Sequence, residues 1–141
     1  ETLTDNKNRT ASSIRTALQK FGGNLGSSGS TTHFFDNCGI IQFSRENISD
    51  DQALDFAARV GARDCYSNKD FHEIITKKED FYKIKIEFEK LAKNLIYSGI
   101  EWRPKSNFVI KEKQTEEIED MLDLLEQDDD VQGVFHNCKF T

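Results

Sequence analysis

Lysine, arginine and asparagine side chains are concentrated near the beginning of the chain, where they can contact phosphate. From Lys7 to Lys20 every charged side chain is positive, and the others are Arg9 and Arg15. Arginine and lysine supply positive charge to phosphate oxygens, while Asn8 and backbone amides supply neutral donors. The pattern predicts a surface that contacts the backbone of a nucleic acid. The alternative interpretation is an ordinary solvated helix face.

A glycine-rich segment at residues 22–30 follows directly. Backbone amides in such a loop can cradle phosphate or an RNA backbone. It is neither a P-loop nor a dinucleotide-binding fingerprint, because G-x-x-x-x-G-K-[ST] and G-x-G-x-x-G are both absent. The alternative is a flexible helix C-cap that leads into a strand. The two segments together predict a nucleic-acid-binding surface formed by Lys7, Asn8, Arg9, Arg15, Lys20, Gly22, Gly23, Asn24, Gly26, Gly29 and Ser30.

A second candidate contact combines an aromatic ring with an arginine. Trp102 and Arg103, with Tyr97 nearby, precede Pro104, the only proline of the chain. We expect this segment to be irregular, and a tryptophan and an arginine on such a segment can stack on unpaired bases. The alternative is a hinge that packs between two lobes.

The histidines and cysteines do not predict a catalytic or metal site. Cys38, Cys65 and Cys138 lack C-x-x-C spacing, so neither a zinc motif nor a disulfide framework is indicated. His136 and Cys138 share one face of a predicted strand, but zinc requires three or four ligands. The acidic residues at 112–130 lack the spacing of a calcium loop and fit a solvated helix face better. We therefore predict a protein that is not an enzyme and has no metal, cofactor or small-molecule substrate.

The composition indicates a folded domain that does not bind nucleic acid over its whole surface. The 141 residues are 36% hydrophobic and 31% charged, and eleven phenylalanines can supply a core. The net charge is −6, yet acidic residues dominate at 112–130 and are absent from the basic N-terminal segment. No apolar run approaches the ~20 residues of a membrane span, so a membrane partner is not predicted. The chain begins with Glu1 and shows no signal peptide, and we interpret it as a fragment.

Short strands alternate with helices along the chain, which predicts an α+β fold. A helix is expected after Thr10, which we predict as its N-cap, and another at 49–60 behind a Ser49–Gln52 capping box. Two more are expected at 81–95, from the apolar spacing of Phe81, Ile84 and Phe88, and after Thr115. Hairpins are expected at 31–44, with the turn at Asp36-Asn-Cys-Gly39, and at 63–76. Further strands are expected at 1–4, 107–111 and 131–135, with an extension of the last one toward Phe140. This order favours two small ferredoxin-like lobes (α/β plaits), one inserted in the other. The outer lobe is 1–45 plus 104–141, and the inserted lobe is 46–103.

Five motifs occur in a fixed order along nearly the whole chain. They are Thr4-Asp-Asn-Lys-Asn-Arg-Thr10, Gly22-Gly-Asn-Leu-Gly-Ser-Ser-Gly-Ser30, Gly39-Ile-Ile41, Val60-Gly-Ala-Arg-Asp-Cys65 and Asp129-Asp-Val-Gln-Gly-Val-Phe-His-Asn137. In this order they resemble the YebC family of bacterial and organellar proteins, which includes a mitochondrial translational activator. The chain departs from the family at Lys111-Glu112, where a proline is usual. The family's basic N-terminal helical domain has no counterpart here, so the resemblance corresponds to the second and third domains.

The resemblance implies a regulator of gene expression. We expect it to bind RNA or the ribosome as a translational activator or elongation-assisting factor. The first alternative is a DNA-binding transcriptional regulator, and the second is a protein-interaction module. The compartment implied is the bacterial cytoplasm, or alternatively the mitochondrial matrix or another organelle.

Overall fold

The chain folds into two compact units, one inserted in the other. The computed structural model describes residues 1–92 and 94–141. The outer unit comprises Glu1–Phe35 and Pro104–Thr141, and the inserted unit comprises Asp36–Arg103. The elements in chain order are α1 (Lys7–Lys20), a 3-10 turn (Thr32–Phe34), β1 (Phe35–Ser44), α2 (Asp50–Val60), β2 (Asp64–Ser67), β3 (Phe71–Lys77), a 3-10 turn (Lys78–Asp80), α3 (Phe81–Leu91), β4 (Leu95–Pro104), β5 (Phe108–Ile110), α4 (Glu112–Glu126) and β6 (Cys138–Phe140). The predicted α+β class with nested lobes is confirmed.

The inserted unit has the element order β-α-β-β-α-β of a split plait. Its sheet has the strand order β2-β3-β1-β4. β3 pairs antiparallel with both β1 and β2, so that Ile41 lies opposite Ile74 and Phe43 opposite His72. The strands and both helices of this unit contribute to one hydrophobic core: Ile41, Phe43, Ala53, Ala57, Ile74, Phe81, Ile84, Phe88 and Ala92.

Local sequence explains how the helix α2 begins and ends. Ser49 and Gln52 form the capping box that the sequence predicts, with reciprocal hydrogen bonds of 2.9 and 3.1 Å. Gly61 ends the helix in the left-handed region, at a φ of 81°. Gly39 on β1 has a different role, because a Cβ there would collide with Thr76 and lie 2.5 Å from the ring of Phe81. The absence of a side chain at Gly39 lets α3 pack closely on the sheet.

The hairpin predicted at residues 31–44 is wrong, because β1 is one continuous strand through the expected turn. Residues 38–44 pair without interruption with residues 71–77 of β3. Cys38 and Ile40 are fully buried, so sheet pairing and burial override the turn preference of Asp36-Asn-Cys-Gly39. As a result β1, which we assigned to the outer lobe 1–45, lies almost entirely in the inserted unit.

The helix predicted at residues 81–95 ends earlier than expected. α3 stops at Leu91, and Ala92 has extended dihedral angles (φ −102°, ψ 114°). Residue 93, which the prediction also covered, lies outside the described residues. β4 then begins at Leu95 and contains Trp102 and Arg103, so that segment is a strand and the expected irregular conformation is wrong. The apolar residues after Leu91 fit a helical period and a half-buried strand equally well.

The outer unit consists of a helix pair and a small parallel sheet. α1 contacts α4, and α4 connects β5 to β6, which pair in parallel. The strands predicted at 1–4 and 131–135 reduce to a single antiparallel bridge between Thr2 and Val131.

Candidate nucleic-acid interface

The helix α1, which carries the predicted basic surface, is capped by Asn6 and not by Thr10. The Asn6 side chain accepts a hydrogen bond from the Arg9 amide at 3.0 Å. The Asn6 amide in turn donates to the Thr4 hydroxyl at 3.0 Å. Thr10, which the sequence suggested as the cap, lies in the first turns of the helix and is buried. The motif at residues 4–10 therefore builds the start of the helix.

Side chains of this motif donate hydrogen bonds to Asp130, which lies near the other end of the sequence. Its carboxylate accepts from the Thr10 hydroxyl at 2.7 Å and from the Arg9 guanidinium at 3.0 and 3.1 Å. The hydrogen bonds from Thr10 and Arg9 lower the pKa of the Asp130 carboxyl. The bonds to Asp130 and Asp5 raise the pKa of Arg9. We call the side chains of Thr4, Arg9, Thr10 and Asp130 the Asp130 cluster.

Backbone and side-chain bonds extend the contact between the two chain ends. The Leu3 amide donates to the Asp130 carbonyl at 2.8 Å, and the Gln132 amide to the Glu1 carbonyl at 2.7 Å. The Ser13 hydroxyl donates to the Asp128 carboxylate at 2.6 Å. Asp128 and Asp130 are therefore half-buried structural groups, which corrects our interpretation of residues 112–130 as wholly solvated. The motifs at 4–10 and 129–137 form one structural feature.

Arg9 differs from the other cations of α1 because its guanidinium is bonded to Asp130 in this cluster. We expect Arg9→Glu to lower the thermal unfolding temperature, since it places a carboxylate against Asp130. Arg15→Glu, on the exposed part of the same helix, should leave that temperature nearly unchanged. Circular dichroism melting of both variants measures the difference. Equal melting of the two variants would contradict a structural role for Arg9.

The remaining cations of the predicted surface are exposed. Lys7, Arg15 and Lys20 are exposed on α1, as is the neutral Asn8. In the described part of the outer unit, Asp5 and Asp130 both pair with Arg9. The Lys20 ammonium lies 5.5 Å from the ring centre of Phe21, where it is held over the aromatic face. The exposed cations are therefore available to an anionic partner.

The glycine-rich loop closes α1 and remains exposed. Gly22 takes a positive φ of 77° after the helix, and Gly29 takes one of 78°. The Gly23 amide donates back to the Leu18 carbonyl at 2.9 Å, which satisfies the end of α1. From Asn24 to Ser30 every residue is exposed. The loop is both a helix C-cap and an accessible backbone surface, so the two interpretations of residues 22–30 are compatible.

The second candidate contact does not have a free arginine. Arg103 pairs with Glu73 at 3.1 Å and with Glu101 at 3.3 Å, so its charge is already balanced. Trp102 is half-buried in β4. Both residues belong to the sheet of the inserted unit, whereas α1 and the glycine-rich loop belong to the outer unit.

The inserted unit contains a histidine cluster that does not have the geometry of a catalytic triad. The fully buried His72 places Nε2 2.8 Å from the Ile48 carbonyl and Nδ1 2.6 Å from the Ser67 hydroxyl. The Asp50 carboxylate lies 4.0 Å from the same Nδ1, so the serine and the acid face one nitrogen. A relay requires them on opposite nitrogens. The cluster instead joins the start of α2 to the β2–β3 hairpin.

The described residues contain neither a metal-binding cluster nor a membrane-spanning helix. Within residues 1–92 and 94–141, no group of three or more histidine, cysteine or acidic side chains is arranged to hold a metal ion. No helix in those same ranges has the length and apolarity needed to cross a membrane.

The relatives of this chain from two bacteria carry the same description. The chain is 44% identical over 140 residues to a "Probable transcriptional regulatory protein" of Pelagibacter ubique, which matches 99% of this chain. It is 41% identical over 137 residues to a protein of the same description from Zymomonas mobilis, a match that covers 97% of this chain. The chain spans 58% and 55% of the lengths of these two relatives.

A solved structure agrees with the fold. The crystal structure of a conserved hypothetical protein from Aquifex aeolicus matches 99% of this chain with a TM-score of 0.83 and 35% identity, and the match covers 58% of that protein. The family model described as the second and third domain of TACO1/YebC matches residues 1–138. The chain therefore belongs to the TACO1/YebC family.

Proposed function

We propose that the outer unit binds RNA through the exposed cations of α1 and the glycine-rich loop, and that the protein regulates gene expression at the ribosome. Arg15, Lys20 and Lys7 would contact phosphates, and the exposed amides of residues 24–30 would donate to the RNA backbone. Arg9 would hold the helix in place from within the Asp130 cluster. The proposed binding requires no cofactor, and it places the protein wherever its ribosomes are, in a bacterial cytoplasm or an organelle.

The observation that carries this proposal is a long stretch without negative charge. Residues 6–35 contain no aspartate or glutamate, although the chain has 25 acidic residues and a net charge of −6. The stretch covers α1, the glycine-rich loop and the 3-10 turn that follows it. A polyanion can approach this surface without meeting a carboxylate from the same stretch, and the repulsion from the rest of the chain is screened by salt.

Regulation of gene expression is supported by the relatives. The proteins from Pelagibacter ubique and Clostridioides difficile are both described as "Probable transcriptional regulatory protein". That description also favours a second candidate function, binding of duplex DNA. In the described residues, however, α2, α3 and α4 are each followed along the chain by a strand, and α1 by a three-residue 3-10 turn and then a strand. The order of a helix-turn-helix motif is therefore missing there. This favours RNA over a major-groove reader.

Ribosome co-sedimentation with competitors tests the proposal. We expect the chain to pellet with ribosomes at low salt, and a single-stranded RNA to release it more effectively than duplex DNA of equal length. Binding should fall steeply as salt is raised, because counterions compete for the phosphate contacts. Stronger competition by the duplex DNA would favour the transcriptional function. Binding that survives high salt would favour a protein partner.

A further inference from the structure

Two neighbouring aromatic rings are exposed at the end of the glycine-rich loop. The rings of His33 and Phe34 lie with their centres 4.0 Å apart and their planes inclined by 39°. Phe34 is 52% exposed, and His33 is exposed as well. A phenylalanine contributes to stability mainly by burial, and the half-exposed Phe34 makes only part of that contribution. We call these two side chains the ring pair.

The backbone beneath the ring pair is fixed by hydrogen bonds. The Phe34 amide donates to the Thr31 carbonyl at 3.1 Å, and the Lys105 amide donates to the Phe34 carbonyl at 2.9 Å. The Thr32 hydroxyl donates to the Gly29 carbonyl at 3.0 Å. The rings therefore stand on a 3-10 turn that is tied both to the glycine-rich loop and to the segment after β4. A flat partner would meet a positioned surface at a low cost in conformational entropy.

The charges near the ring pair suit an anionic chain. The turn belongs to the stretch of residues 6–35 that has no acidic side chain, and the carboxylate of the following Asp36 is paired with Arg63 at 3.6 Å. The hydrogen bond from the Lys105 amide brings an exposed lysine beside the turn, and Lys20 lies at the other end of the loop. Proteins that bind single-stranded nucleic acid combine cations along the backbone with aromatic rings on which bases stack.

We propose that the ring pair is a stacking platform for unpaired RNA bases, with Phe34 as the principal contact. This inference rests on the proposed RNA binding and specifies its ligand: single-stranded RNA, since paired bases do not expose their faces. The cations of α1 hold the phosphates, and the ring pair receives one or two bases from the same strand.

The experiment measures the affinity of the full chain for a fluorescein-labelled oligouridine strand and for a blunt-ended RNA duplex of equal length. We compare wild type with Phe34→Ala, Phe34→Tyr and the control Tyr82→Ala, which removes a ring that is 68% exposed on the inserted unit. Phe34→Ala should weaken binding of the single strand by about ten-fold, because one stacked base contributes that much. Phe34→Tyr and Tyr82→Ala should both bind the single strand with the affinity of wild type. Melting curves confirm that each variant is folded.

Salt dependence separates the platform from the cations. Phe34→Ala should leave the slope of log affinity against log salt unchanged, since stacking releases no counterions. If Phe34→Ala binds the single strand as tightly as wild type does, the platform is wrong. RNA binding by the outer unit would still be supported by that result. An equal loss on the duplex would also overturn the platform. If the wild-type chain binds neither RNA, both the proposed function and the platform are rejected.

Discussion

Replacing Arg15 and Lys20 together with glutamate is expected to weaken binding of single-stranded RNA by about a hundred-fold at ~50 mM salt. Both side chains are exposed on α1, whereas the neighbouring Arg9 is paired with Asp5 and Asp130. Each lost charged hydrogen bond to phosphate costs about 1.5 kcal/mol, which is roughly ten-fold in affinity. Fluorescence anisotropy over a salt series measures the change.

The matched control reverses two exposed lysines of the inserted unit, Lys69 and Lys83. It changes the net charge equally, so general repulsion of RNA is the same in both variants. The slope of log affinity against log salt should fall by about two for the α1 variant and much less for the control. Equal losses in the two variants would show that net charge, and not this surface, governs binding.

Asp130→Asn is expected to lower the thermal unfolding temperature by several degrees at neutral pH. The carboxylate accepts from the Thr10 hydroxyl at 2.7 Å and from Arg9 at 3.0 Å, and an amide cannot accept from both as an anion does. Thr10 is only 3% exposed, so its hydroxyl would lose its charged acceptor in a buried position. Asp129→Asn removes the neighbouring exposed carboxylate and should change little.

The same cluster predicts how stability depends on pH. Hydrogen bonds from Thr10 and Arg9 lower the pKa of Asp130 in the folded state. A group with a lowered folded pKa contributes stability that is fully present above its unfolded pKa, about 3.9, and is lost as pH falls through the folded pKa. Acidification below about pH 4 should therefore destabilise wild type more than Asp130→Asn. Parallel losses in the two proteins would contradict the role of Asp130.

The fold could be predicted from sequence where local signals agreed with tertiary packing. The capping box at Ser49 and the apolar spacing of Phe81, Ile84 and Phe88 identified α2 and the start of α3. The errors came where local preference and packing disagreed. Asp36-Asn-Cys-Gly39 has turn residues, but pairing with β3 holds it extended. Residues after Leu91 fit both helix and strand, and only the sheet decides between them.

The candidate site was also only partly accessible from sequence. The exposed cations of α1 and the glycine-rich loop follow from residue type and spacing. The Asp130 cluster joins residues about 120 positions apart, such as Thr10 and Asp130, and no local pattern connects them. The ring pair was missed because His33 and Phe34 also fit a strand, in which Phe34 would point into a core. Their exposure is a property of the 3-10 turn.

The most direct test of RNA binding by the outer unit is a nitrogen-15 NMR titration of the full chain with an oligouridine strand. Amide chemical shifts report which residues contact the ligand, and the glycine-rich loop supplies several separate amide signals. We predict shifts concentrated at residues 7–34, with little change in α2 and α3. Shifts concentrated in the inserted unit, or none at saturating RNA, would contradict the account.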